Sequence, residues 1–508
     1  GAPLHACVMA TYTHLAPDVF APHLMEFTRL ILESYSDIPL GGAMRDEWGF
    51  PPSFPADRMT SGNHFWYSPH YAAAYAEKTG GRELLEDCLL MFAGIKGKEG
   101  ERHLATNHYM ELNWQRNKVL EDDYYRAVKE FFGDDAEVVT HPTWYPYPNR
   151  LESKKNGLYW WVARRDWAQT DEITPFSIRT ALSKKWNSAV WYNQYYSTEQ
   201  ADYETETWSA LLAGGRINYH PLYPSRKNRL DRHALLLTEN ILQAEGNVRL
   251  LNFISQSPLN CPVAVVFGHT ATMNRESPSF EDIGVELANQ LWQMGIPTDL
   301  IPTSEIEEGS LYIDDNGWIS YGPQRYAAVI LYYPEFEKVS TAHFFNEASR
   351  GQTHLFRVGD WTMDFNGRSF DGNAALPAAM IERESADALP SEILLHLKKR
   401  GIDLQSPATR LIEGFGHVSN APSTRGFARL IDGTLIQVSA KDNPSGDVIQ
   451  STMQIGEYPI DFDAVGMAAA RLNEAGEVEA LAAGGLKYFK AVSSTATARA
   501  PAISSTWA

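Results

Sequence analysis

The most constraining feature of this chain is an alternation. Short β-rich runs take turns with longer amphipathic stretches through the first half of its 508 residues. Strands separated by helical segments cannot pair as tight hairpins, so the economical product is a parallel sheet covered by helices. The pattern predicts strands at residues 5–12, 38–44, 136–140, 159–163, 189–195 and 216–220, with helices at 22–34, 121–132, 174–186 and 203–213. Several of these strands run into polar or aromatic residues, as strands do where active-site loops leave the C-terminal rim of a (β/α)8-type barrel. Six strands fall short of eight. Either two escape notice or the chain begins inside a barrel whose first two strands lie upstream, and a strand entered almost directly after Gly1 favours the second.

After a connecting helix at 232–256 the alternation restarts with Cys261-Pro-Val-Ala-Val-Val-Phe-Gly, an apolar run suited to a parallel strand buried on both faces. Strands at 298–301, 327–332 and 353–358 and helices at 283–294 and 341–350 then predict a flavodoxin-like doubly wound domain over residues 257–404. No GxGxxG follows a strand, and Gly268-His-Thr-Ala-Thr is too weak a signal for nucleotide binding. Class I glutamine amidotransferases share this architecture and place a nucleophilic Cys at a strand-to-helix elbow. The corresponding run here, Ile330-Leu-Tyr-Tyr-Pro-Glu, has no Cys, so a structural or oligomer-forming role is expected. Residues 405–508 change to short strands at 426–438, 448–455 and 486–492, separated by turn signals such as Asp432-Gly, which predicts a small β-sandwich. A tail rich in Ser, Thr and Ala, from about residue 493, is not expected to pack. The expectation is a multidomain α/β chain, with the barrel over residues 1–256.

Charge narrows the partners. With 44 Lys+Arg against 63 Asp+Glu the formal charge is −19, which argues against nucleic acid and anionic membrane surfaces, since both select basic faces. No apolar run reaches the ~18–20 residues of a membrane span, and nothing in the sequence assigns a compartment. Cys7, Cys88 and Cys261 are isolated, as expected of buried thiols rather than a zinc site or disulfide framework. His64, His70, His103 and His108 lack HxH or HExxH spacing, so no metal and no organic cofactor is expected.

The chemistry concentrates where strands are expected to end. Ile38-Pro-Leu-Gly-Gly-Ala-Met-Arg-Asp-Glu-Trp-Gly-Phe is an apolar strand terminating in two carboxylates and a Trp. Neighbouring strand residues point to opposite faces, so Asp46 and Glu47 share one target only if the strand has ended. Glu47 beside Trp48 has the setting in which desolvation raises a carboxyl pKa and suits it to donate a proton. A second acidic cluster, Glu199, Asp202, Glu204 and Glu206, follows Val190-Trp-Tyr-Asn-Gln-Tyr-Tyr. Acids near a helix N-terminus also serve the helix dipole, a role that fits Glu204 and Glu206 better than Glu199. Glu199, nearest the strand end, is the nucleophile candidate, with Glu204 and Glu206 as alternatives. Asp46, Trp48, His141, Trp144, Asp166, Trp191 and His220 supply the mixture of aromatic faces and polar groups that grips a sugar ring. Ten of the 14 Trp precede residue 225, so this half is the one expected to meet a flat ligand.

This order, a barrel with carboxylates after its fourth and seventh strands, then a flavodoxin-like domain without a nucleophile, then a small β-domain, resembles the family 42 β-galactosidases and the related β-mannosidase family. Tyr67-Ser-Pro-His-Tyr-Ala-Ala-Ala-Tyr-Ala-Glu-Lys-Thr-Gly-Gly resembles the helix these enzymes insert after the fourth strand, and Glu199-Gln200 resembles their nucleophile dipeptide. In that clan an Asn precedes the acid/base Glu; Asp46 stands there in this chain, so Glu47 is matched on position alone. The resemblance implies a retaining, exo-acting β-glycosidase acting on an oligosaccharide or glycoside, with a middle domain that helps form trimers. Two rivals remain: an inverting hydrolase pairing Glu47 with Asp166 at a carboxyl separation of ~6.5–9.5 Å, and a carbohydrate-binding scaffold without catalysis.

Overall fold

The computed structural model describes residues 18–48, 67–142, 161, 167–170, 176–187, 191–193, 216–218, 253–274, 282–402, 409–414, 417–422, 425–439, 448–455, 458–465, 467–473, 478–483 and 488–491. The strand expected at 5–12, the helix at 203–213, most of the connecting helix at 232–256 and the tail lie outside these residues.

The first sheet has five parallel strands: β1 (Gly42–Trp48), β2 (Glu137–Pro142), β3 (Trp167–Thr170), β4 (Trp191–Asn193) and β5 (Arg216–Asn218). Their spatial order is their chain order, β1-β2-β3-β4-β5. A doubly wound sheet reverses direction at some point; this one advances in a single direction, as successive strands of a (β/α) barrel do. The described strands do not close into a barrel. Gly42 opens β1 because a Cβ there would overlap the main-chain oxygen and nitrogen of Glu137 on β2.

Between β1 and β2 lie three helices. α2 (Pro69–Thr79) starts where the Ser68 hydroxyl accepts the Tyr71 N–H at 3.0 Å and ends on Gly80, whose φ of 71° is left-handed. α3 (Leu84–Ala93) is tied to α2 by the Tyr75 hydroxyl, which donates to Asp87 at 2.6 Å. α4 (Glu99–Phe132) is 34 residues long, about 51 Å at ~1.5 Å per residue. Only its end, 121–132, is legible as an amphipathic helix, because its upstream half buries Asn107, Asn113 and Asn117 among apolar neighbours. The downstream half packs Tyr124, Ala127 and Val128 against Leu32, Ala136 and Val138. There α1 (Leu24–Glu33) is clamped by Arg29, which donates to Asp123 at 3.0 Å and Glu130 at 2.8 Å.

The second sheet is also parallel: Ile381–Arg383, His354–Val358, Ala328–Tyr332, β6 (Val263–Phe267) and β7 (Thr298–Pro302), in that spatial order. Counted along the chain this is 2-1-3-4-5, a doubly wound order with its switch point between β6 and Ala328–Tyr332. All five residues of β6, of β7 and of Ala328–Tyr332 are buried, which accounts for the continuous apolar character of Val263 to Phe267. Beyond residue 408 every pairing is antiparallel: a hairpin (Thr409–Gly414 with His417–Pro422), a four-stranded sheet and a three-stranded sheet. Main-chain bonds from Asn260 to Arg429 and from Ile431 to Pro258 stitch the four-stranded sheet to the chain entering β6.

Two corrections concern the third strand. The aromatic run at 159–163 was the expected strand, but Trp161, its one described residue, is a fully buried 3₁₀ residue packed edge-on against Phe267, with ring centroids 6.1 Å apart. Trp161 packs against the second sheet at Phe267, and the less apolar Trp167–Thr170 forms β3.

That junction is locked by charge. Helix Phe176–Lys185, expected at 174–186, lies against β7, and the Lys184 ammonium donates to the Asp299 carboxylate with both side chains wholly buried. Asp299 also accepts from the Thr180 hydroxyl at 2.6 Å and the Tyr326 hydroxyl at 2.7 Å. Beside it Lys185 donates to Glu305 at 2.8 Å, and the Tyr321 hydroxyl reaches the same carboxylate at 2.8 Å. Removing one member of a buried pair strands the other charge, so Lys184→Met is expected to lower stability by about 3–5 kcal/mol. Urea unfolding measures this; a loss below ~1 kcal/mol, the range of a surface ion pair, would show that the junction does not depend on the pair.

Candidate functional site

In a parallel sheet all C-terminal strand ends lie on one edge, and the first sheet gathers its chemistry there. β1 ends in Asp46, Glu47 and Trp48, and β2 ends in His141 and Pro142. The pairing of these strands is irregular: Arg45 lies opposite Thr140 and Trp48 opposite Pro142, so three steps along β1 match two along β2. That is a β-bulge, and the extra residue falls at Asp46–Glu47. A bulge breaks strict alternation and re-aims side chains, as it does at barrel rims and beside active sites. The register shift thus falls where two adjacent acidic residues stand in the chain. Just before the bulge, the Arg45 guanidinium lies 3.8 Å from the Tyr124 ring centroid, which anchors β1 to α4.

Trp191 opens β4 and pairs with Gln169 and Arg216, so its backbone stands at the start of that strand and not at the rim. Trp144, Glu199, Glu204, Glu206 and His220 lie outside the described residues, in the segments that follow β2, β4 and β5. Asp166 also lies outside them, but its place in the chain differs from expectation. It precedes β3, whereas Asp171 and Glu172 follow it. Of the histidines, His70 is on α2 and His103 and His108 are on α4. Among the described residues no group of three His, Cys, Asp or Glu side chains is arranged to hold a metal ion. Cys88 and Cys261 are free, buried thiols, and burial pushes the Cys88 thiol up to about 12.

A second arrangement was not foreseen. At the C-terminal ends of β6 and β7, beside the switch point, a cleft opens between the second sheet and the upstream half of α4. Its floor is a buried carboxyl, Glu337, which accepts from the Thr303 hydroxyl at 3.0 Å and the Thr270 N–H at 3.2 Å, while the Thr303 hydroxyl accepts from the His269 N–H at 2.9 Å. One side chain thus ties together three strand exits. Burial raises the Glu337 carboxyl to about 8 against the hydrogen bond from Thr303, and burial lowers the His269 imidazole to about 3, so both are uncharged at neutral pH. Lys338 crosses the mouth, donating to Glu111 on α4 and to Glu307, both at 2.7 Å. Burial works against the Glu111 charge, but Lys338 and Lys78 outweigh it and hold that carboxyl below its ordinary value. The elbow after strand Ala328–Tyr332 is occupied by Tyr333, whose φ of 41° is left-handed, so the sharp turn exists without a Cys. Gly268-His-Thr-Ala-Thr, too weak a signal in sequence, forms the β6 side of this cleft.

Comparison with known proteins bears on the fold. No family model and no curated protein matches the chain, but solved structures do. An exo-carrageenase GH42 from Bacteroides ovatus aligns with a TM-score of 0.51 and 10% identity, over 91% of this chain and 66% of its own. A cold-adapted β-galactosidase from Rahnella sp. R3 aligns with a TM-score of 0.53 and 9% identity, over 90% of this chain and 82% of its own. A β-galactosidase from the psychrophilic Marinomonas ef1 aligns with a TM-score of 0.51 and 10% identity, over 89% and 83%. This chain has a GH42-like fold, and it spans about two thirds of the exo-carrageenase and more of the two β-galactosidases.

The Glu337 carboxyl gives a pH signature. Below its ordinary value of 4.5 both folded and unfolded states hold the proton; between 4.5 and about 8 only the folded state does. Stability contributed by the protonated group is therefore lost as pH rises through that window, with a slope of at most ~1.4 kcal/mol per pH unit. Glu337→Gln keeps the shape and removes the proton, so it should gain stability relative to wild type as pH rises from 4.5 to 8. Parallel denaturation curves across that range would contradict the assignment.

Proposed function

We propose that this chain is a retaining, exo-acting β-glycosidase that hydrolyses β-galactosides or closely related β-glycosides such as β-mannosides. The observation that carries the reading is the β-bulge at Asp46–Glu47, on the rim of a sheet whose strands advance in chain order. The GH42-like fold supports it, since the neighbours named above are a carrageenase and two β-galactosidases.

In this mechanism the Glu47 carboxyl protonates the departing glycosidic oxygen while the Glu199 carboxylate attacks the anomeric carbon from the opposite face. The C–O bond to the leaving group breaks as the glycosyl–enzyme ester forms. Glu47, now a carboxylate, takes a proton from water, the water oxygen attacks the anomeric carbon, and Glu199 departs. Retention requires the two carboxyl groups to stand ~5–5.5 Å apart. Asp46, Trp48, His141, Trp144, Trp191 and His220 are assigned to the sugar, the indoles to its C–H faces and the polar groups to its hydroxyls. Asp166 is assigned to the sugar with them. We read residues 1–256 as the catalytic part, 257–404 as a flavodoxin-like domain that assembles the chain into a homo-oligomer, with a trimer as the expected form, and 405–508 as a β-sandwich.

The test uses two leaving groups. Glu47→Gln should slow hydrolysis of an alkyl β-galactoside by roughly 10²–10⁴-fold, and slow a nitrophenyl β-galactoside less, because that leaving group departs without protonation. Glu199→Gln should abolish turnover of both, and NMR of the first-formed sugar should show retained configuration. Wild-type turnover by the Glu47→Gln, Glu199→Gln double variant would end the assignment.

A further inference from the structure

Pairing of β1 with β2 is regular from Gly42 opposite Glu137 to Arg45 opposite Thr140, and the register shifts only between Arg45 and Trp48. A strand pair places an extra residue where local contacts leave room for it. The upstream end leaves none. Any Cβ at Gly42 would overlap the Glu137 main chain, and the Glu137 N–H donates to the Gly41 carbonyl at 2.8 Å. Regular pairing ends at Arg45, the residue whose guanidinium carbon lies 3.8 Å from the Tyr124 ring centroid.

Tyr124 is a fixed point. It is buried and packs with Leu32, Ala127, Val128, Ala136 and Val138. Its neighbour Asp123 accepts from Arg29 at 3.0 Å, and Lys129, farther along α4, donates to the Ala136 carbonyl at 2.7 Å where the chain enters β2. The same end of α4 therefore holds both strands, β2 through Lys129 and β1 through Arg45. Burial raises the Tyr124 hydroxyl above its ordinary value, although Arg45 pulls it down, so at neutral pH the ring is an uncharged π face for the cation. Ala43 packs against the same cluster while Met44 is exposed, so Ala43 and Arg45 mark the face of β1 turned to α4.

We propose that Arg45 is a positioning residue for Glu47: its contact with Tyr124 holds the pairing regular as far as Thr140 and so fixes where the Glu47 main chain stands on the rim. The proposal rests on the glycosidase reading, in which Glu47 is the proton donor. Without the contact the shift is free to move upstream past Arg45, and one step along a strand is ~3.3 Å. A displacement of ~1 Å at a reacting group costs as much as 10²-fold in rate.

Two leaving groups test it, because a displaced proton donor harms the one that needs a proton. Arg45→Gln and Tyr124→Leu should each lower kcat/KM for an alkyl β-galactoside by about 10–100-fold and leave kcat/KM for a nitrophenyl β-galactoside within about threefold of wild type. Arg45→Lys keeps a cation over the ring and should restore most of the alkyl rate. The Arg45→Gln, Tyr124→Leu double variant should lose no more than either single one, since both remove the same contact. Should one single variant fail to fold, the other carries the test. Equal losses on both substrates, or wild-type alkyl hydrolysis by the folded variants, overturn the positioning role. Glu47→Gln in the same assays separates the two claims. If it slows the alkyl substrate and Arg45→Gln does not, only the positioning role falls; if it slows neither substrate, the glycosidase reading falls and takes this role with it.

Discussion

The structure depends on one buried ion pair. Lys184 and Asp299 have no exposure, and each comes from a different sheet system: the lysine from the helix between β3 and β4, the aspartate from β7. A charge left alone in such a place costs several kcal/mol, so neither part reaches a low-energy state with this surface undocked. Thr180 and Tyr326 take up the remaining capacity of the Asp299 carboxylate, which makes the pair geometrically demanding as well as strong. Apolar packing alone would tolerate sliding. Three donors converging on one carboxylate fix how the first sheet and the doubly wound sheet meet.

That fixed junction explains what the sequence made legible and what it hid. The restart at Val263 and the strand at 328–332 are legible because their residues form continuous apolar runs, buried on both faces. Trp161, within the apolar run at 159–163, is buried against Phe267 and lies in no strand, and periodicity cannot tell a strand residue from one buried in that way. The upstream half of α4 hides in the opposite way. Asn107 donates to the Phe365 carbonyl at 2.7 Å, and Asn113 donates to the Tyr71 hydroxyl at 2.9 Å, so asparagines that read as an exposed face in sequence are buried in space.

The two sites differ similarly. Adjacent carboxylates after an apolar strand single out Asp46 and Glu47, but the register shift beside them is a property of pairing with β2, and no single strand encodes it. The cleft is less legible still. Trp114, His269, Thr303 and Glu337 are dispersed along the chain, and they meet only because three strand exits and one long helix converge. None belongs to a motif. They become informative once their partners are known, as Glu337 does with two donors and no counter-ion.

α4 touches both places: its downstream half packs under β1 and β2 behind the bulge, and its upstream half walls the cleft. A shared rod is a physical precondition for communication, but communication also needs a second arrangement for the rod to adopt. The contacts along α4 oppose one. Asn274 donates to the Asn107 side chain at 2.8 Å and to the His103 carbonyl at 3.0 Å, Arg116 donates to the Val19 carbonyl at 2.7 Å, and Lys338 grips Glu111. Sliding the helix by one turn would break all of these directional bonds together, with no equivalent set one turn away. α4 is therefore held as a fixed rod between the first sheet and the cleft.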